Sequence, residues 1–200
     1  MSKPGPNYKS ASRQSGASLI EVVVTAFIFA IGLLGYAALQ NRTLKAELES
    51  YQYVEAMLHL EWIAHQIRSN RDAAGCYGLV DTDFVGTGYS DTYSCSSYGT
   101  AVTQAQAVDD INQWDDLLKG SGETLNGQAS GGLINARGCI SFDGTDTFEI
   151  AVVWQGLVES SALTQTNCAA DQYADADGNT AGNLTLRAAV YTVILPDFEG

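Results

Sequence analysis

Between Ala17 and Leu39 the chain reads ASLIEVVVTAFIFAIGLLGYAAL, an unbroken apolar run with a single charge, Glu21, and no proline. About 20 such residues cross a bilayer as a helix, the one linear element that satisfies its own backbone polar groups in hydrocarbon. The run is too long for the apolar core of an ordinary secretory signal, which is about 7–15 residues. Lys3, Lys9 and Arg13 precede it, and no Asp or Glu occurs before Glu21. That asymmetry predicts a cytoplasmic N-terminus, with the bulk of the chain on the far side. A plain anchor explains the length and the flanking charge, but not a carboxylate a few residues into the span. An acid in lipid is costly and marks a functional residue whose partner has to be found.

After Gln40 the pattern becomes amphipathic and extends to about Ser69. Leu44, Leu48, Tyr51, Val54, Leu58, Trp62 and His65 fall at steps of three and four, the spacing of one helical face, and that face is expected to lie on a sheet. No proline interrupts Ala17 to Arg71. The two halves can therefore form one rod of roughly 80 Å at about 1.5 Å per residue. Asn70 to Thr103, rich in Gly, Ser, Asp and Tyr, reads as a loop. Its tyrosines, Tyr77, Tyr89, Tyr93 and Tyr98, are expected to pack that loop, with a sticky exposed surface as the alternative. Ala107 to Lys119, carrying Trp114, suits a short helix ended by Gly120. Gly138 to Phe142 and Phe148 to Gln155 flank Asp143-Gly144, a local hairpin signal. A third strand over Leu184 to Leu195 alternates Leu184, Leu186, Ala188, Val190, Thr192 and Ile194 on one side. The expected fold class is α+β: a long N-terminal helix packed on a small antiparallel sheet.

The chain carries 23 acidic and 10 basic residues, a formal net charge of −13. Such a surface repels phosphate backbones, which argues against nucleic acid as a partner. Four cysteines, Cys76, Cys95, Cys139 and Cys168, follow the apolar run with no CxxC pair among them. An even count beyond an export signal reads as two disulfides, of which three pairings are open. Sequential pairing, Cys76 with Cys95 and Cys139 with Cys168, is expected because each bridge then closes one local excursion. With only His59 and His65 to help, a zinc site is not expected, and both histidines read as packing beside the apolar helical face.

No GxSxG, HExxH, phosphate-binding loop or dinucleotide fingerprint is present, and the aspartates sit in Gly/Ser-rich turns, where they cap and solvate. No catalytic residue and no cofactor are expected. The one metal-like pattern is Asp175, Asp177 and Asn179, whose alternate oxygens followed by glycine resemble the first half of a calcium loop. The bidentate glutamate that completes such loops is missing, and a simple turn is the expected reading.

The stretch QSGASLIEVVVTAFIFAIGLLGYAALQ, Gln14 to Gln40, resembles the export signal of type IV pilins: a glycine before the cut, an apolar helix, and glutamate as the fifth residue after it. Ala17 stands where that family more often has phenylalanine or methionine. The resemblance implies that a prepilin peptidase cuts after Gly16 and methylates the new amine on Ala17. Glu21 would then pair with the amine of a neighbouring subunit and set the register between them, since burying the pair costs less than burying either charge alone. Cleavage would take the net charge from −13 to −16, because three positive charges leave with the leader.

The organisation implied is a cleaved basic leader at 1–16, a membrane and filament-core helix at 17–40, an amphipathic continuation at 41–70, and a disulfide-stapled head at 71–200. IGLLGYAALQ at 31–40, IRSNRDAAGCY at 67–77, the Trp114 helix and FEIAVVWQG at 148–156 resemble one branch, the PilV-type minor pilins. That branch implies a subunit that helps initiate pilus assembly. Its partners would be other minor pilins, the major pilin, the peptidase and the inner-membrane assembly platform of a Gram-negative cell. A minor pseudopilin of a type II secretion system shares the same signal; a calcium-dependent adhesive tip module and, far behind it, a membrane-anchored enzyme are the alternatives of other classes.

Overall fold

The computed structural model describes residues 18–78, 84–122, 132–159, 166–170, 172–173 and 185–196, with the backbone of 124–125 and 128–129. It divides into two units, residues 1–44 and 45–200. Helix α1, Leu19–Ser69, runs through the boundary as one uninterrupted element. It is followed by a 3-10 helix at Arg71–Tyr77 and the two-residue strand β1, Val85–Gly86. Helix α2 is Ala101–Leu118, and the short pair β2, Thr124–Leu125, and β3, Gln128–Ala129, comes next. The chain closes with β4, Arg137–Phe142, β5, Thr147–Gln155, and β6, Leu186–Ile194. The main sheet is antiparallel throughout, in the order β1-β4-β5-β6. This is an α+β fold, a long N-terminal helix with a small antiparallel sheet, and it is consistent with the pilin fold.

Within the larger unit, α1 buries Gln52, Ala56, Leu60, Ile63, Ala64 and Ile67. All of these but Gln52 share one core cluster with Phe148, Ile150, Val152 and Trp154 of β5 and Ala189 and Val193 of β6. The contact face is not the one that periodicity selects. Leu48, Tyr51, Val54 and Leu58 are 54%, 60%, 56% and 60% exposed, Leu44 and His65 are exposed too, and Trp62 is only half-buried. The helix carries two apolar stripes: Ala56, Leu60, Ile63, Ala64 and Ile67 share the core with the sheet, and Leu48, Tyr51, Val54 and Leu58 point outward.

Both ends of α2 follow from local chemistry. Thr100 and Thr103 form a capping box, which starts the helix six residues before the apolar periodicity does. At the other end Gly120, at φ +81°, adopts the left-handed conformation, so that its N–H and that of Ser121 reach back to Leu117 and Asp116 at 2.9 and 3.0 Å. Trp114 is fully buried and lies against β4 at Gly138, where a Cβ would collide with the indole ring and with Leu118.

The β4–β5 hairpin pairs Phe142 with Phe148, and the two rings stack at 4.4 Å. Its connection is a longer loop than a two-residue turn. The Asp143 carboxylate accepts from the N–H groups of Thr145, Asp146 and Thr147 at 2.8, 3.2 and 3.1 Å. The backbone hydrogen bond to Thr145 is the chief reason that the Asp143 carboxyl is held below its ordinary range.

On β6 the predicted alternating set, Leu186, Ala188 and Val190, joins the smaller cluster with Ala151, Val153, Cys168 and Tyr173, and Thr192 and Ile194 are exposed. The opposite residues, Ala189, Val193 and the following Leu195, enter the main core with α1. Leu184 lies outside the described residues.

Candidate functional site: the N-terminal helix and the faces it presents

α1 begins where the Ser18 carbonyl accepts from the N–H of Glu21 at 2.9 Å and of Val22 at 3.3 Å. That places Glu21 in the first turn, where a carboxylate meets the positive end of the helix dipole. From Leu19 to Leu48 every residue is exposed in the single chain. An 18-residue window of this helix has a mean hydropathy of 2.4 with none of it buried, so it is long and apolar enough to cross a membrane. An apolar helix that finds no core in its own chain has to be covered by lipid or by other subunits. Gly16 and Ala17, the expected processing junction, lie outside the described residues. So do Asp175, Asp177 and Asn179, and among the described residues no three His, Cys, Asp or Glu side chains are grouped to hold a metal ion.

In the larger unit the outward stripe of Leu48, Tyr51, Val54 and Leu58 is a second exposed apolar surface, with no partner among the described residues. Its edges carry the devices that fix α1 on the sheet. Arg187 of β6 reaches Glu49 at 3.2 Å and the Val158 carbonyl at 2.6 Å. Arg68 donates to the Tyr191 hydroxyl at 3.1 Å and lies 5.5 Å from its ring centroid, and Arg71 donates to the Pro196 carbonyl. Tyr53 meets Trp154 at 6.4 Å on the other side.

Cys76 is bonded to Cys95 and Cys139 to Cys168, with Cα separations of 5.6 and 5.7 Å. The first bridge tethers the segment that carries Tyr89, Tyr93 and Tyr98, all half-buried against the main core. Burial pushes the Tyr93 hydroxyl up to about 12. The second bridge brings Cys168, with Tyr173, onto the face of the sheet that carries Ala151, Val153 and Leu186. There Tyr173 is buried, its hydroxyl lies 2.8 Å from the Asn135 carbonyl, and the guanidinium of Arg137 stands between the rings of Tyr173 and Phe84 at 4.9 and 5.1 Å. Burial is again the main reason that the Tyr173 hydroxyl is raised to about 12, with Arg137 opposing it.

A polar network that pattern reading does not find joins α1, α2 and the 3-10 helix. Asp110 is 1% exposed, yet it accepts from Tyr77 Oη at 2.5 Å and from Gln106 Nε2 at 2.7 Å. Asn70 links Tyr77 to the Thr103 carbonyl at 3.2 and 2.8 Å. Burial first, and the Asp110 hydrogen bond second, raise the Tyr77 hydroxyl. In the sequence Asp109-Asp110 reads as a solvated pair; only the position of Asp110 beside Ala107, Ile111 and Trp114 on one helical face could have marked it as buried. The network is a satisfied structural joint.

The described residues combine an exposed apolar helix with an acid in its first turn and a disulfide-stapled α+β unit. Residues 11–37 match the family model described as the prokaryotic N-terminal methylation motif, which supports a type IV pilin-like protein and points to a structural subunit rather than an enzyme. The match fits inner-membrane anchoring and association with pilus components. No curated protein and no solved structure matches the chain.

Proposed function

We propose that the chain is a minor pilin that helps prime assembly of the type IV pilus in a Gram-negative bacterium, after a prepilin peptidase removes residues 1–16 and methylates the amine of Ala17. The observation that carries this reading is the methylation motif at 11–37 in register with Glu21 in the first turn of an uncovered apolar helix. The helix holds the subunit in the inner membrane with its head in the periplasm. The assembly platform then draws it out beside other minor pilins and the major pilin. In the filament the hydrocarbon is replaced by neighbouring helices, and Glu21 is neutralised by the Ala17 amine of an adjacent subunit. An unpaired carboxylate there is costly, and a paired one fixes the register.

The role assigned to Glu21 separates processing from assembly. Glu21→Gln removes a charge from the span, so membrane insertion is expected to proceed and the leader is expected to be cut. Recovery of the variant in sheared filaments, or crosslinked to other minor pilins, is expected to fall to background. Undiminished incorporation would remove the registration mechanism, and incorporation into a secretion apparatus instead of pili would identify a pseudopilin.

A further inference from the structure

Along one flank of the core stripe of α1, Gln52, Glu55 and His59 follow at steps of three and four, so their side chains stand one above the next on the helix surface. The flank is mostly shut off from water: Gln52 is 6% exposed, and the side chains of Glu55 and His59 are 20% and 13% exposed. His59 Nε2 lies 4.0 Å from Glu55 Oε1, which is too far for a hydrogen bond. That nitrogen and Gln52 Oε1 are both buried with no hydrogen-bond partner among the described residues. A neutral imidazole nitrogen and an amide oxygen left in this condition lose the hydration they had in the unfolded chain and recover nothing for it.

We propose that Glu55 and His59, with the Gln52 amide oxygen beside them, take up one divalent transition-metal ion of the zinc class. A carboxylate and an imidazole at i and i+4 on a helix form a chelate, and imidazole nitrogen selects zinc-like ions over calcium or magnesium. Zinc bonds to both donors at about 2.0–2.2 Å, which in tetrahedral geometry sets them roughly 3.4 Å apart. Rotation of the side chains by about half an ångström closes the present gap to that value. The partly exposed edges of both side chains give the ion a way in, and water completes its coordination. The pattern escapes a search for paired cysteines or histidines because its second donor is a carboxylate one turn earlier.

The test uses the full chain in detergent, stripped with EDTA and dialysed. Zn²⁺ titrated calorimetrically is expected to bind with one equivalent per chain and micromolar Kd, and Co²⁺ to give a visible d–d absorption band. Zn²⁺ is also expected to raise the Tm. All three signals are expected to vanish in His59→Ala and in the near-isosteric Glu55→Gln, and to persist in His65→Ala, whose histidine is exposed on the same helix. Melting in EDTA verifies that each variant is folded, and Glu55→Gln carries the test if His59→Ala is not. Absence of Zn²⁺ binding by the wild type, binding unchanged in a folded His59→Ala or Glu55→Gln, or its loss in His65→Ala would each overturn the proposal.

Discussion

Leu58 and Leu60 are two residues apart on α1, yet they belong to opposite faces of the helix. Leu60 is completely buried in the cluster it shares with β5 and β6, and Leu58 is 60% exposed. Truncating a buried leucine removes its transfer free energy and leaves a cavity, so Leu60→Ala is expected to cost about 2–5 kcal/mol. For a unit of this size each kcal/mol shifts Tm by roughly 2–4 °C, so a mid-range loss lowers the melting temperature by about 7–14 °C. Leu58→Ala removes mostly hydrated surface and is expected to change stability by no more than about 0.5 kcal/mol. Under the proposed function its effect is expected in assembly, where the outward stripe would meet neighbouring subunits. Circular-dichroism melts of the two variants in detergent, set beside their recovery in sheared filaments, give both readings. Comparable destabilisation by Leu58→Ala and Leu60→Ala would refute the division of the helix into a core face and a docking face.

The sheet and its staples supply further tests. Replacing Cys139 and Cys168 with serine reopens a loop with a sequence separation of 29, for which chain entropy predicts a loss of about 3.5 kcal/mol in denaturant unfolding. Gly138→Ala forces a methyl group into Trp114 and is expected to cost about 1–3 kcal/mol, measured by the shift in urea midpoint. Asp143 has a depressed folded pKa, so its contribution is present above the unfolded carboxylate value of about 4 and fades as pH falls through the lower folded one. Asp143→Asn is therefore expected to flatten the pH dependence of the urea midpoint between about pH 5 and about pH 2, and an unchanged profile would show that the loop does not depend on this carboxylate.

Residues that act through their immediate neighbours in sequence were the readable ones. The apolar run, the absence of proline up to Arg71, and Asp143-Gly144 between two β-prone segments each state a local preference that tertiary structure did not override. Choosing a helical face requires more. Leu44, Leu48, Tyr51, Val54 and Leu58 form one apolar stripe and Ala56, Leu60, Ile63, Ala64 and Ile67 another; spacing alone does not say which lies on the sheet, and it is the second that does. α2 is longer than its apolar spacing because a capping box of two threonines decides where it starts. Asp110 escaped notice because its burial depends on Tyr77 of the 3-10 helix and Gln66 of α1 arriving from other places in the fold. The pairing of Asp175, Asp177 and Asn179 with calcium stays a property of the sequence pattern, since those residues lie outside the described structure.

The central claim is that this chain is processed as a prepilin, and the N-terminus of the membrane-extracted protein tests it most directly. Mass spectrometry of the intact chain and of its N-terminal peptide is expected to show a protein that begins at Ala17 with one methyl group on its amine. A mature chain that begins at Met1 or Ser2, or at any residue past Leu39, would contradict it.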